Sequence, residues 1–572
     1  MNVVNAMRPA NAVASVRSYL MPLLPGRRDY RRLPHTWRGD LLAGVTVGIV
    51  ALPLALAFGI SSGAGAEAGL VTAVVAGIVA AVFGGSHIQV SGPTGAMVVV
   101  LGPIVATHGA GAIALVSIMA GILVLLLGVL KLGRTVSYIP WPVIEGFTLG
   151  IAVIIFLQQV PAAVGVPSPH GENAVVAAIK SIGQASTPEV FWTIGAVLLI
   201  ALIMVGAPRL HPKLPGSMIA IVIVTVAATL VHAPIARIGT LPDSLPAPSM
   251  PPVDPVLVMN LSGAALTVAA LAAIESLLSA RVAASISDTG PYDADRELVG
   301  QGLASVAAGL FGGMPATGAI ARTAVNLKSG GRSRLAAVTH GLVLLAVVYV
   351  GTGVVSQIPL SALAGVLMVT ATRMVPGEAV RSVLSSSRSG AATFVLTAVI
   401  TVSFDLIVAV GIGIGVAALF ALRTLARSSG VHREEIAGPA DPADARIAVF
   451  RLDGALFFGV AERLLDRVLA IDHVEVVILR LSQIQIMDAT GARVIGDVVR
   501  TLERRGITVL LKGVRPQHLT LVSRTGALEA LAHEKHLYDD LPAAVEHARV
   551  HVHRAARHGP PSSRPQVGNG LV

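Results

Sequence analysis

One carboxylate stands where a carboxylate is costly. Glu275 lies inside LTVAALAAIESLLSARVAA (266–284), with Ser279 one helical turn further on. At i and i+4 the two side chains share a helix face. If that stretch crosses a bilayer, an ionisable group within it marks a functional site. A protonated carboxyl is cheaper there than a carboxylate, so the group can carry a proton. The competing reading is a fixed ion pair, and Arg322 is the available cation. Two further groups of residues bear chemistry through the backbone alone. Thr94-Gly95-Ala96 follows Pro93, and Thr317-Gly318-Ala319 follows Pro315 by one residue. A proline or glycine ahead of a short helix leaves its first N–H groups unpaired, here Gly95–Met97 and Gly318–Ile320. A helix N-terminus carries about half a positive charge, and glycine lets a ligand approach closely. Two such ends facing each other make an anion site that needs no basic side chain. No nucleotide-binding Gly-Lys loop, nucleophile elbow or metal-ligand cluster is present, so an enzyme, a resident metal and a cofactor are not expected.

These residues lie in a strongly apolar chain. It has 572 residues, 54% hydrophobic and 13% charged, with a mean hydropathy of +0.76 and no cysteine. A soluble chain carries about a quarter charged residues. About fourteen apolar runs extend from Leu41 to Leu422. The stretches 88–105 and 314–328 are too short or too broken for full spans and read as half-helices. The net charge of +10 points to the positive-inside rule rather than to nucleic acid. With fourteen segments, one side holds Arg27, Arg28, Arg31, Arg32, Arg38, Lys131, Arg134, Arg209, Lys213, Lys328, Arg332, Arg334, Arg373, Arg381, Arg388, Arg423 and Arg427. The other side holds only Lys180 and Arg237. Both termini are therefore expected in the cytoplasm.

The chain also repeats. AGLVTAVVAGIVAAVFGG (68–85) aligns without gaps on RELVGQGLASVAAGLFGG (296–313), matching at Leu70, Val71, Ala76, Ala80, Phe83, Gly84 and Gly85. A Thr-Gly-Ala follows each copy. Seven spans between the copies would give the halves opposite topology, and inverted repeats with paired broken helices mark a transporter's midplane site. After about residue 440 the pattern changes to IAVFRL (447–452), VEVVILRL (474–481), a helix over 492–506 and ITVLLKGV (507–514), a small α/β domain. The expected division is a cytoplasmic segment 1–40, a membrane domain 41–425, a soluble domain 440–550 and a disordered tail 551–572. His551 and His553 read as part of that solvated tail.

RGDLLAGVTVGIVALPLALAFGI, VFGGSHIQVSGPTGAMVVV, IESLLSARVAA and ELVGQGLASVAAGLFGGMPATGAIARTAVN resemble the sulfate permease family of anion transporters, and the resemblance covers nearly all of the chain. MDATGARVI (487–495) resembles a STAS domain. The resemblance implies fourteen segments in a seven-plus-seven inverted repeat divided into core and gate, in a homodimer in the bacterial plasma membrane. It places substrate between the third and tenth helices, with Thr94–Ala96 and Thr317–Ala319 at their N-termini, Phe58 from the first helix, and Arg322 in the tenth. Glu275 falls on the family's acidic position of the eighth helix and Ser279 on the companion hydroxyl. Leu54 stands after Pro53 where many members have Gln, which removes a donor and draws the chain toward dicarboxylate or bicarbonate branches. Glu275 replaces the Asp of a sodium-coupled member, which favours proton over sodium. Ala489 follows Asp488 where phosphorylatable relatives have Ser, so that phosphosite is excluded. The expectation is a secondary active transporter of small anions (dicarboxylate, bicarbonate or sulfate), in proton symport by alternating access. The alternatives are an exchanger or channel of the same fold, a proton-coupled nucleobase carrier, or an anion-sensing signalling protein.

Overall fold

The computed structural model describes Tyr19 and residues 21–558, apart from 135–139, 168–172, 186–188, 211–213, 375–376, 404–405, 429, 458–467, 469 and 472. For 28, 404–410, 427–428, 534 and 557–558 it describes the backbone at most. Lys213, Arg28 and Arg427 of the loop-charge argument therefore lie wholly or in their side chains outside the described residues. The chain divides into two compact units, Met1–Ala417 and Ala418–Val572.

Among the described residues fourteen helices correspond in order to the expected membrane segments. They are α1 (Leu33–Ser61), α2 (Ala66–Phe83), α3 (Gly95–His108), α4 (Ala112–Val129), α5 (Trp141–Gln158), α6 (Glu189–Leu210), α7 (Gly216–Leu230), α8 (Pro255–Ser285), α9 (Ala294–Leu310), α10 (Ile320–Lys328), α11 (Arg334–Val350), α12 (Leu360–Met374), α13 (Arg388–Ser403) and α14 (Leu406–Ser428). A full span takes about 20 residues. Among the described residues seven helical stretches are long and apolar enough, α3, α7, α11, α13 and residues 411–426 of α14 are shorter apolar helices, and α9 and α10 fall in neither class. α1 begins at Leu33, before the expected start at Leu41, because its first turn is amphipathic and was hidden by His35, Arg38 and Asp40. α2 and α9 pack against each other, and each ends at the Phe of Phe-Gly-Gly or one residue before it.

The helices sort into two groups. α1, α2, α4, α8, α9 and α11 pack together around alanine and glycine contacts. Gly302 and Gly309 on α9 lie where an added Cβ would stand 2.5 Å from Leu125 N and 2.7 Å from the Ala114 carbonyl oxygen, so these backbones approach as small residues allow in membranes. α5, α6, α7, α12 and α13 form the second group.

Two non-helical segments lie inside the first group, and a buried backbone must be satisfied by protein there. β1 (Ser91–Gly92) pairs antiparallel with β2 (Thr317–Gly318). Thr323 Oγ1 accepts Val90 N–H at 3.1 Å, and Asn326 Nδ2 donates to the Ile88 carbonyl at 2.7 Å. Thr72 Oγ1 accepts Met314 N–H at 2.7 Å, and Ser305 Oγ accepts Ala316 N–H at 3.3 Å. The polar residues of α10 and the hydroxyls of α2 and α9 thus replace the missing helical bonds.

The second unit carries a five-stranded sheet, β3 (Gly430–Glu434), β4 (Ile447–Leu456), β5 (Val476–Met487), β6 (Thr508–Lys512) and β7 (Leu537–Tyr538), in that order. The pairs from β4 to β7 are parallel and β3 is antiparallel to β4. α15 (Ala489–Arg504) and α16 (Pro516–Arg524) join a core of Val477, Leu479, Ile495, Val499 and Val509. α17 (Leu541–His558) packs Ala544, Ala548 and Val552 against Val449, Ile478 and Leu510. Two expectations need correction. The sheet begins at Gly430, ten residues before the expected domain start. Residues 551–558 are the last turns of α17 rather than a disordered tail, because Val552 is buried. The remainder of that tail, 559–572, lies outside the described residues.

Candidate functional site

α3 and α10 begin on opposite sides of the β1–β2 pair, and its antiparallel register sends them off in opposite directions. Glu275 enters this crossing from α8. Its Oε2 accepts the hydroxyls of Thr94 and Thr317, each at 2.8 Å, and the Thr317 hydroxyl also lies 3.2 Å from Thr94 Oγ1. Residues 42 and 181 positions away from Glu275 in sequence therefore meet on one carboxylate oxygen. Glu275 remains partly exposed while Thr94 and Thr317 are buried. Ser276, beside it, accepts Gly318 N–H at 3.1 Å.

The two half-helices are not equivalent in detail. Thr94 is the N-cap of α3, and no side chain caps it. Gly95, Ala96 and Met97 N–H have no partner among the described residues, so the donors at the start of the first half-helix are open. The second is largely closed. Ala319, not Thr317, is the N-cap of α10, so the helix starts two residues later on its Thr-Gly-Ala than α3 does on its own. Gly318 N–H is taken by Ser276 and Ala319 N–H donates to the Val90 carbonyl at 2.9 Å. Of the expected donors Gly318–Ile320, only Ile320 stays free, because Thr317 and Gly318 are committed to β2.

The glycines also act differently from expectation. A Cβ at Gly318 would stand 1.7 Å from Gln89 Nε2, and one at Gly95 would stand 2.2 Å from Ile155 Cδ1 and 3.4 Å from Phe58 Cε1. Their lack of a side chain makes room for protein groups. Phe58 is buried beside Gly95. Arg322 is 2% exposed and donates through Nη2 to the Pro93 carbonyl, just before α3, while Nη1 has no partner. It forms no salt bridge with Glu275 among the described residues, although the two opposite charges lie close enough to interact. Ser279 is 1% exposed and its hydroxyl is unpartnered.

A cavity of about 1220 Å³ separates the two helix groups, lined by Ala57, Val99 and Thr267 on one side and Gln159, Thr193 and Leu360 on the other. Thr267 precedes Glu275 by two turns on α8, about 12 Å along the axis. The cavity adjoins the C-terminal ends of α1 and α3, the helix ends away from the arginine-rich loops. Sequence reasoning missed Gln301, whose Nε2 donates to Ser91 Oγ at 2.5 Å and to Glu297 Oε1 at 3.0 Å. A polar pair at i, i+4 inside an apolar run was the available signal.

A polytopic bundle with two broken helices crossing at a half-buried carboxylate, followed by an α/β domain, defines a membrane transporter of the inverted-repeat class. The chain belongs to the sulfate permease family, whose pattern matches residues 37–397, and a STAS domain matches 439–544. It is 36% identical to the putative sulfate transporter YvdB of Bacillus subtilis, over 87% of this chain and 96% of that one. It is 30% identical to the bicarbonate transporter BicA of Synechocystis, over 89% and 94%. The solved transmembrane domain of a cyanobacterial BicA superposes with a TM-score of 0.60 at 33% identity, covering 66% of this chain and 98% of that one. SLC26A9 shares the fold over 96% of both chains, with a TM-score of 0.80 at 18% identity. The protein is a multi-pass membrane anion transporter, and these relatives are transporters rather than enzymes.

Proposed function

We propose that the chain is a secondary active symporter of a small anion and a proton, working by alternating access, with Glu275 as the coupling residue. The observation that carries this reading is the Thr94–Glu275–Thr317 junction, in which one carboxylate joins the starts of both broken helices. An anion drawn to the free N–H groups of Gly95, Ala96 and Met97 would share the field of Glu275. Neutralising the carboxyl would favour the anion, and the anion would favour the proton, since the coupling is reciprocal. Arg322 supplies buried positive charge behind α3, and Phe58 and Ser279 complete the surroundings. The proposed arrangement has both termini in the cytoplasm of a bacterial plasma membrane, in a homodimer. With that orientation the cavity opens outward, as one state of an alternating-access cycle. The α/β domain is proposed to regulate transport or stabilise the dimer.

Among substrates, bicarbonate or a dicarboxylate fits best. Leu54 adds no donor after Pro53, and the open donors belong largely to one half-helix, fewer than a doubly charged tetrahedral oxyanion would engage from two sides. The test is uptake into proteoliposomes with an imposed inward proton gradient, competed by sulfate, bicarbonate, succinate, fumarate and chloride. Glu275→Gln keeps the neutral form of the side chain, so substrate binding by calorimetry is expected to persist while gradient-driven accumulation is lost. Accumulation that survives in Glu275→Gln removes Glu275 from the coupling role. Gradient-independent flux in the unaltered chain would favour an exchanger or channel.

A further inference from the structure

The second unit brings together three imidazoles that the sequence holds apart. His536 precedes β7, while His547 and His551 lie one turn apart on α17. One nitrogen from each ring lies within 4.8 Å of the others. His547 Nε2 and His551 Nε2 are 3.1 Å apart. Two nitrogens bound to one tetrahedral zinc ion at about 2.0–2.1 Å stand about 3.4 Å from each other, so this pair needs little adjustment to share an ion. His536 is 5% exposed and its Nδ1 has no hydrogen-bond partner among the described residues. Buried imidazole nitrogens are ordinarily satisfied.

We propose that His536, His547 and His551 form a binding site for a divalent transition-metal ion, with zinc as the best fit. The ligand chemistry selects the ion class: neutral imidazoles suit zinc, copper or nickel, and the cluster holds no carboxylate, the ligand that would favour magnesium or calcium. Burial, with the neighbouring rings, holds the His536 imidazole down to about 4, and burial also lowers His547 and His551. In the metal-free protein one Nε2–H of the His547–His551 pair donates to the other; for both rings to bind an ion through Nε2 as neutral imidazoles, the donating ring would take the tautomer with its proton on Nδ1. Three protein ligands leave a fourth position for water. The nearest further imidazole is His533, whose ring centroid is 5.9 Å from that of His536 and whose Nδ1 already accepts Lys535 N–H. A bound ion would fasten α17 to the start of β7, tying the last helix of the domain to the sheet edge.

The experiment uses the full-length chain in detergent, purified without a polyhistidine tag and stripped with chelator. Zinc is titrated by calorimetry and cobalt by visible absorption. One ion per chain is expected, with the intense cobalt bands of a four-coordinate site. His547→Ala and His551→Ala are each expected to weaken binding by about tenfold or more. His553→Ala, which changes an exposed histidine on the same helix that contacts Asp441, is expected to bind as the unaltered chain does. Both α17 rings are partly exposed, so these variants are expected to fold, and metal-free thermal unfolding checks it. Absence of binding in the unaltered chain overturns the proposal. So does binding that persists in His547→Ala/His551→Ala, or a loss shared equally by His553→Ala.

Discussion

At the scale of single residues, Gly95 and Gly318 show how a glycine can be required by packing. Both sit at the half-helix crossing, and their lack of a Cβ is needed for protein packing. At Gly95 the obstacle is the tip of Ile155. Gly95→Val is therefore expected to lose most uptake, and Ile155→Ala in the same chain to restore a substantial part of it. A substrate held against a bare Gly95 backbone would give no such rescue, so uptake by the double variant separates the two causes. The threonine hydroxyls make a second case. Thr94→Val removes one of two donors to Glu275 and leaves shape nearly unchanged. A hydrogen bond to a charged group contributes about 1.5–3 kcal/mol. The proton gradient needed for half-maximal accumulation is therefore expected to shift in Thr94→Val and Thr317→Val alike, and unaltered proton dependence in both would separate the hydroxyls from coupling.

At the scale of elements, the repeat is held by polar contacts between its halves. Glu297 on α9 is 1% exposed, and its Oε2 accepts Gly85 N–H at 2.8 Å and Ser86 N–H at 2.9 Å, the first donors beyond α2. Glu297→Ala strands both N–H groups and Gln301, and is expected to destabilise the membrane unit by about 2–4 kcal/mol, read as a lowered unfolding temperature in detergent. Unchanged stability would mean that water satisfies those groups. In the second unit α17 is anchored by Arg549, which grips both oxygens of Asp444 at 2.8 Å. The Arg549 hydrogen bonds hold the Asp444 carboxyl below its usual range. A depressed carboxyl contributes stability above its unfolded pKa, lost as pH falls through the folded value. Asp444→Asn is therefore expected to flatten the acid limb of hydrogen exchange in α17, below about pH 4.

At the scale of the whole molecule, the two units each carry their own core, and all of the candidate transport residues lie in the first. Truncation after residue 428 is expected to reduce transport or surface expression while leaving the rank order of competing anions unchanged. A cut near residue 440 is the worse experiment, since it leaves β3 without β4. A changed rank order would show that the second unit contributes to selectivity. The fourteen helices, the paired half-helices and the α/β domain were legible in the sequence, because apolar length, proline and glycine breaks and strand periodicity are local patterns that fold class follows directly. That the two copies of the repeat, α2 and α9, pack on each other is a tertiary fact. Tertiary structure alone decided that Thr94 and Thr317 share Glu275, that Arg322 turns to Pro93 instead, and that the second nest is mostly filled by Ser276 and Val90. It also decided that His536 meets His547 and His551. Each depends on side-chain direction and on register between segments far apart in sequence, and a shift of two residues in where α10 begins is enough to exchange an open donor for a strand hydrogen bond.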